Sequence, residues 1–267
     1  MIRKPVAARR GRDDRKFVEA LARGLEVLAC FGPADRALGN AQIAERTGLP
    51  KATVSRLTYT LTALGYLRHR PDLNRYELGT AVISLGYSLM SRMDIRRLAR
   101  PLMQALAEHA HVAVNLGVRD RLTMVYIDTY RSTSVSALLL DIGSQIPIAT
   151  TSMGRAYLAA VPGDVRAEVC DELRRGDPQA WPRVEAGLEA ALVQYRERGF
   201  CLSLGDWLPE VNAVAVPLPA EDPRDTMVFS CSGAAFLTSR ASLEEDIGPR
   251  LLNLVANVRT ALGAHPI

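Results

Sequence analysis

The side chains able to do chemistry at neutral pH are sparse in this sequence. Its four histidines, His69, His109, His111 and His265, are the whole stock of neutral-pH bases. His109 and His111 stand two apart, which points them opposite ways on a strand and suits no helical metal pair, so a surface or core role outweighs a ligand role. The four cysteines, Cys30, Cys170, Cys201 and Cys231, lie far apart with no C-x-x-C pair, leaving neither a zinc site nor a disulfide framework to read. No G-x-S-x-G elbow, Walker A loop or G-x-G-x-x-G run occurs. The sequence points away from an enzyme, and from any metal or cofactor, toward binding without turnover.

Two runs suit binding. Thr150, Thr151, Ser152 and Met153 open a helix just after Pro147, and free amide N–H groups with hydroxyls at a helix N-terminus suit a carboxylate. Thr and Ser also serve there as plain N-caps, so both readings stay open. The second run is a helix from Lys51 to about Leu64, on which Val54, Leu57, Leu61 and Leu64 share one stripe. Ala52, Ser55, Arg56 and Tyr59 lie on its far side, flanked by Lys51 and Thr53. Small and hydrogen-bonding groups stand where a plain solvated helix shows Glu and Lys, and such a face fits a DNA major groove.

The elements around that helix make the same point. A first helix starts at Phe17, turns Leu21, Leu25, Leu28 and Phe31 to one side and stops at Gly32-Pro33. Asn40 caps a short second helix through Thr47, with Ile43 and Ala44 inward and Gly48 at its end. After Gly65 the pattern changes to period two: Tyr66–Arg70 and Arg75–Leu78, joined by Pro71-Asp72-Leu73-Asn74, form a hairpin with Arg68, Arg70 and Arg75 on exposed edges. This is a winged helix-turn-helix, with helix three as reader and the hairpin as phosphate or minor-groove contact; a winged helix used for protein contacts is the alternative.

Charge divides the chain in the same place. Residues 1–93 carry 16 Lys and Arg against 8 Asp and Glu, whereas 94–267 carry 17 against 21, so a basic part is joined to an acidic one. Within a length of 267 residues, suited to two domains, the expected order is a flexible basic arm over 1–16, the winged helix-turn-helix over 17–79, a linker helix over 80–93 and a distal domain over 94–267. Apolar spacing on more than one face of Leu78–Met93 suits packing against a second subunit or burial on its own domain. The distal domain reads as α+β, with a helix from Asp94 to about His109 and a hairpin of Val112–Val118 with Leu122–Asp128. A third strand is expected at Ser134–Leu140 and further strands at 200–205, 211–218 and 226–232. Helices are expected at 152–161, 164–175, 181–198 and 240–262. No uncharged run reaches the roughly 18 residues of a membrane span, and no apolar h-region follows the N-terminal Arg and Lys, so the cytosol is the expected compartment.

Leu21-Ala22-Arg23-Gly24-Leu25-Glu26-Val27-Leu28, then Ile43-Ala44 and Thr47-Gly48-Leu49-Pro50-Lys51-Ala52-Thr53-Val54-Ser55-Arg56-Leu57, resemble the opening of the IclR family of bacterial transcription regulators. Ile146 through Ala159, Arg198-Gly199-Phe200, Val214-Ala215-Val216-Pro217 and Ser230-Cys231-Ser232-Gly233 extend the resemblance over about residues 17 to 263. The Thr-Ser-Met-Gly-Arg and Ala-Arg-Gly-Leu wording is most similar to the branch regulating aromatic-acid catabolism. The resemblance implies a twisted antiparallel sheet of about six strands whose concave side meets helices around a ligand pocket. It also implies a homodimer, or a dimer of dimers, on a pseudo-palindromic double-stranded operator, with a small carboxylate as effector. An aliphatic effector, or a constitutive DNA-binding protein without ligand, is the alternative.

The segment Thr150, Thr151, Met153 and Gly154 is implied to border the effector, as are Ser203, Ala213, Ser230 and Ser232. Ser230 and Ser232, two apart on a strand, share a face and can both donate to one carboxylate. Asn115, Met124, Met153, Tyr157 and Trp207 are candidates for the remaining wall. Glu210 stands where many members have Gly, and Ala213 where some offer Cys or Ser. The less polar wall fits an aromatic or longer acid better than a two-carbon one.

Overall fold

A computed structural model describes residues 16–32, 34–90, 93–132 and 140–263, which fall into two compact units dividing just before Met93. Most of the expected arm, residues 134–139 of the expected third strand, and His265 lie outside the described residues.

The first unit contains α1 (Glu19–Ala29), α2 (Asn40–Thr47), α3 (Lys51–Ala63), β1 (Leu67–Arg70), β2 (Arg75–Leu78) and α4 (Ala81–Met90). Val27, Leu38, Ile43, Val54, Leu61 and Leu67 form its core. Gly48 ends α2 in the left-handed region (φ 70°), where its N–H reaches the Ala44 carbonyl, and Pro50 starts α3. The chain thus turns sharply enough for α3 to pack on α2. β1 and β2 pair antiparallel, and a Leu38–Tyr76 bridge ties this wing to the segment before α2.

Three local expectations are corrected. Val27 and Leu28 on α1, and Phe31 just beyond it, turn inward while Leu21 and Leu25 are exposed, because α3 packs along the Gly24–Val27 side. Gly39 rather than Asn40 is the N-cap of α2, with the Gln42 side chain accepting from its N–H. Leu64 lies exposed beyond the end of α3, and Thr58 takes the buried stripe, its hydroxyl satisfied by the Val54 carbonyl.

The second unit is built on an antiparallel sheet of six strands in the order β5-β4-β3-β8-β7-β6. The strands are β3 (Ala113–Asp120), β4 (Thr123–Arg131), β5 (Gln145–Pro147), β6 (Cys201–Leu204), β7 (Val211–Leu218) and β8 (Met227–Ala234). One face, with Val114, Leu116, Val214, Phe229 and Cys231, packs on α5 (Asp94–Ala110) and α10 (Gly248–Gly263). The other carries Cys201, Ala215 and Val228 against α6 (Ser152–Ala160) and α8 (Trp181–Arg198). Between those helices runs α7 (Gly163–Gly176), and α9 (Arg240–Ser242) leads through a π turn into α10. The last helix is therefore not continuous over 240–262. At the π turn a Cβ on Gly248 would lie 2.7 Å from the Leu243 carbonyl and 2.9 Å from the Phe200 ring, so only glycine lets the backbone pass. Leu140 is in no strand, and the short β5 that pairs with β4 had no legible alternation.

Candidate ligand pocket and nucleic-acid interface

With one stripe of α3 sunk in the core, its opposite stripe is left to solvent. Lys51, Ala52, Ser55, Arg56 and Tyr59 are exposed, Tyr59 at 77%, and Thr53 is half-buried. No ion pair among the described residues engages Lys51 or Arg56, so their charges are available to phosphates or base edges. The wing arginines differ from the free contacts expected. Arg68 stands directly across from Glu77 and pairs with it, and Arg70 reaches Glu77 at 3.1 Å and Asp72 at 3.3 Å. Arg68 chiefly, with Arg70, holds the Glu77 carboxyl below its ordinary value, and Arg70 does the same for Asp72. Arg75 is exposed, and its guanidinium reaches back to the Ala37 carbonyl at 3.5 Å.

In the second unit, register places two rows of side chains on the α6 side of the sheet. One runs Ser232–Ala213–Ser203 across β8, β7 and β6; the other runs Asn115–Ser230–Ala215–Cys201. Over them sits the N-terminus of α6. A cleft of about 400 Å³, counting the part open to solvent, separates the two. Thr151, Ser152, Met153, Ser203, Ala213, Ser230 and Ser232 line it together with Tyr126, Ile146, Trp207, Leu208 and Val211.

The Thr151 hydroxyl accepts from the Gly154 N–H at 3.1 Å and donates to the Pro147 carbonyl at 2.7 Å. It is a plain N-cap, which leaves the Ser152 and Met153 amides as orphan donors of the helix. Ser203 spends its proton on the Thr150 carbonyl. Ser230 bonds the phenol of Tyr126, whose burial pushes its pKa up and keeps it protonated.

Six of the sequence-expected effector residues therefore meet at the cleft: Thr151, Met153, Ser203, Ala213, Ser230 and Ser232. Three do not line it. Asn115 is buried beside Ser230 in the same row, where its amide donates to Ser232 at 3.4 Å and accepts from Thr129 at 2.8 Å. Thr150 contributes its carbonyl to Ser203. Gly154 serves helix packing, since a Cβ there would lie 2.0 Å from the Ile148 carbonyl. Of the wall candidates, Met153 and Trp207 line the cleft, whereas Met124 and Tyr157 are fully buried core.

Sequence reasoning missed Tyr126, Ile146, Leu208 and Val211. A bulge between Leu116 and Gly117 sets Tyr126 opposite Gly117, a shift that period-two reading cannot see. The described histidines, His69, His109 and His111, do not line the cleft: His109 faces Asp246 at 3.7 Å, and His111 ends α5 with φ 52°. Burial raises the thiol pKa of each cysteine, that of Cys201 to about 12. Among the described residues no helix is long and apolar enough to cross a membrane.

A winged helix-turn-helix followed in the chain by a sheet-and-helix unit with a small cleft is the architecture of a two-domain transcription regulator. Residues 20–71 match the IclR helix-turn-helix domain, and residues 87–253 match the bacterial transcriptional regulator IclR C-terminal domain. The chain belongs to the IclR family of DNA-binding transcriptional regulators. It is similar to a solved IclR family regulator from Brucella abortus, at 47% identity and a TM-score of 0.84, covering 94% of this chain and 95% of that one. It is 34% identical to the HTH-type transcriptional regulator TsaQ1/TsaQ2 of Comamonas testosteroni, over 93% of this chain and 90% of the relative. The Pca regulon regulatory protein of Pseudomonas putida is 30% identical over 90% and 82%.

Proposed function

We propose that this chain is a ligand-responsive regulator of a catabolic operon whose distal domain binds a small aromatic carboxylate. The observation that carries this reading is the cleft's division into two kinds of wall. The N-terminus of α6, with the orphan amides of Ser152 and Met153, and the hydroxyl of Ser232 line one side as carboxylate donors, beside Ser230 bonded to Tyr126. Tyr126, Ile146, Trp207, Leu208 and Val211 supply apolar and aromatic surface for a ring. A two-carbon acid would leave that second wall without a partner. A p-hydroxybenzoate hydroxylase transcriptional activator among the relatives agrees with an aromatic-acid class.

In this reading the protein is cytoplasmic and works as a homodimer, or a dimer of dimers, on a pseudo-palindromic operator, each α3 entering one major groove with Lys51, Ala52, Thr53, Ser55, Arg56 and Tyr59. The exposed Ile83 and Tyr87, one turn apart on α4, with Leu85 on its other side, support self-association through that helix, since large apolar side chains exposed on more than one face suit packing against a second subunit. The ligand changes the spacing or mobility of the paired reading heads, and its leverage equals its differential affinity for the two states, about 1–3 kcal/mol.

A thermal-shift panel of benzoate, 4-hydroxybenzoate, protocatechuate, phthalate, phenylacetate and short aliphatic acids tests the proposal. A true ligand at about 100 times its Kd adds about 2.7 kcal/mol of stability. A shift with an aromatic acid that Ser232→Ala abolishes supports the reading. A response to aliphatic acids alone moves the ligand class, and silence alongside intact operator binding overturns ligand responsiveness.

A further inference from the structure

The wall carrying Trp207 and Leu208 belongs to the loop between β6 and β7, and its side-chain anchor comes from the helix on the other side of the cleft. Arg155 lies one turn into α6, only 8% exposed. Its Nη1 donates to the Leu202 carbonyl at 3.1 Å and to Asp206 Oδ2 at 2.7 Å. A guanidinium at this depth is tolerated only when paired and hydrogen-bonded. It also needs room, which α8 grants by having Gly187 where a Cβ would lie 2.6 Å from Arg155 Nη2. The Nε is closed off from solvent with no acceptor, so Asp206 carries the compensation with one carbonyl as help.

The two ends of the pair are unlike. Arg155 is fixed inside the fold, whereas the Asp206 side chain is 36% exposed and sits on a bend. Gly205, with φ 71°, turns the chain out of β6, and its N–H reaches the Val211 carbonyl at 3.1 Å, so the loop closes on itself before β7. The one helix thus supplies the cleft's donor end at Ser152 and Met153 and, a turn later, the cation that holds the opposite wall.

We propose that the Arg155–Asp206 pair is a latch holding the 205–210 loop, with Trp207 and Leu208, over the cleft, so that its release sets the rate at which ligand enters and leaves. Arg155 and Asp206 are positioning residues in this scheme. The rate statement rests on the ligand-binding reading above; the latch itself does not.

The test reads Trp207 in the full-length chain, with Trp181→Phe removing the other tryptophan. Without ligand, Asp206→Asn should raise acrylamide quenching of Trp207 about threefold and speed amide exchange at 206–208 and 210, leaving exchange in β7 and β8 unchanged. Asp206→Glu, which keeps the charge on a longer arm, should give a smaller rise. Unchanged quenching in both variants overturns the latch, as does faster exchange spread across the whole domain, which marks a pair that merely stabilises the fold. If Asp206→Asn does not fold, Asp206→Glu decides by the same two readouts. With benzoate as probe, stopped-flow Trp207 fluorescence should show association and dissociation both about tenfold faster in Asp206→Asn, with a smaller change in Kd. Dissociation alone becoming faster overturns gating. A failure of benzoate and every other acid to bind would count against the ligand reading and leave the quenching result to decide the latch.

Discussion

The Ser203 hydroxyl donates to the Thr150 carbonyl across 2.9 Å, joining β6 to the turn that enters α6. That bond uses the only proton Ser203 has, so although Ser203 lines the cleft it can offer a ligand only lone pairs. Ser232 has no such commitment to a carbonyl; it accepts from the Asn115 amide, which leaves its proton directed elsewhere. Ser203→Ala should therefore cost about 1–2 kcal/mol of stability by stranding the Thr150 carbonyl, while sparing most of the affinity for a simple benzoate. Ser232→Ala should do the reverse. Denaturant melts and ligand-induced thermal shifts on the two variants separate these outcomes, and equal loss of benzoate binding in both would refute the assignment.

How much of this was legible in the sequence depends on what kind of contact carries each feature. Ser230 and Ser232 could be placed on one face because strand alternation is local, and Gly48 because a helix end in the left-handed region calls for glycine. Asn115 is expected at the wall and does not line the cleft, although it shares a face and a row with Ser230. No local pattern says that its amide is spent on Ser232; that follows from the pairing of β3 with β8, which joins residues 117 apart in sequence. Tyr126 was lost to a bulge, and the inward side of α1 was misread because Leu21 and Leu25 obey helical spacing as well as Val27 and Leu28 do. Periodicity gives a face, but the neighbouring helix chooses which face is buried.

The wing allows a charge experiment. Glu77 holds both Arg68 and Arg70, so Glu77→Gln should release Arg68 to solvent and phosphate and leave Arg70 to Asp72 alone. DNA affinity should rise for operator and random sequence alike, and the dependence of log K on log salt should steepen by about 0.9 for each added phosphate contact. Arg70→Ala should weaken both kinds of DNA together. Arg56→Ala, on the exposed face of α3, should instead lower discrimination between them by about 1–3 kcal/mol. Salt titrations by fluorescence anisotropy distinguish the two patterns, and an equal loss on both DNAs for Arg56→Ala would remove α3 as the reader.

A pH dependence follows from Glu244 in the π turn. It accepts from Arg198, at the end of α8, at 2.9 Å and from Arg240 on α9 at 2.8 Å. Arg198 first, then Arg240, holds its carboxyl below the ordinary 4.5. The folded state then binds its proton less readily than the unfolded state, so the stabilisation is present above pH 4.5 and is lost as pH falls through the lowered folded value. Glu244→Gln should be less stable than the parent at pH 7 and should lose less on acidification. Parallel melts at pH 7 and pH 4 check this; identical acid limbs would show that the pair contributes nothing.

Specificity should turn on Ala213. Its Cα is paired with Ser203 on one side and Ser232 on the other, so a side chain there points into the cleft between two hydroxyls. The native methyl leaves that stretch of wall without a donor, which disfavours an acid small enough to need a hydrogen bond at every atom. Ala213→Ser places a donor midway along the row. It should shift relative affinity toward glyoxylate and away from benzoate by about fivefold, the worth of one net hydrogen bond. For a residue that only packs, an added hydroxyl in a well-filled apolar wall would instead weaken both ligands alike, with no shift between them. Competitive binding of glyoxylate and benzoate to the two proteins therefore distinguishes a cleft that sorts acids by the polarity of its wall from one that is simply part of the core.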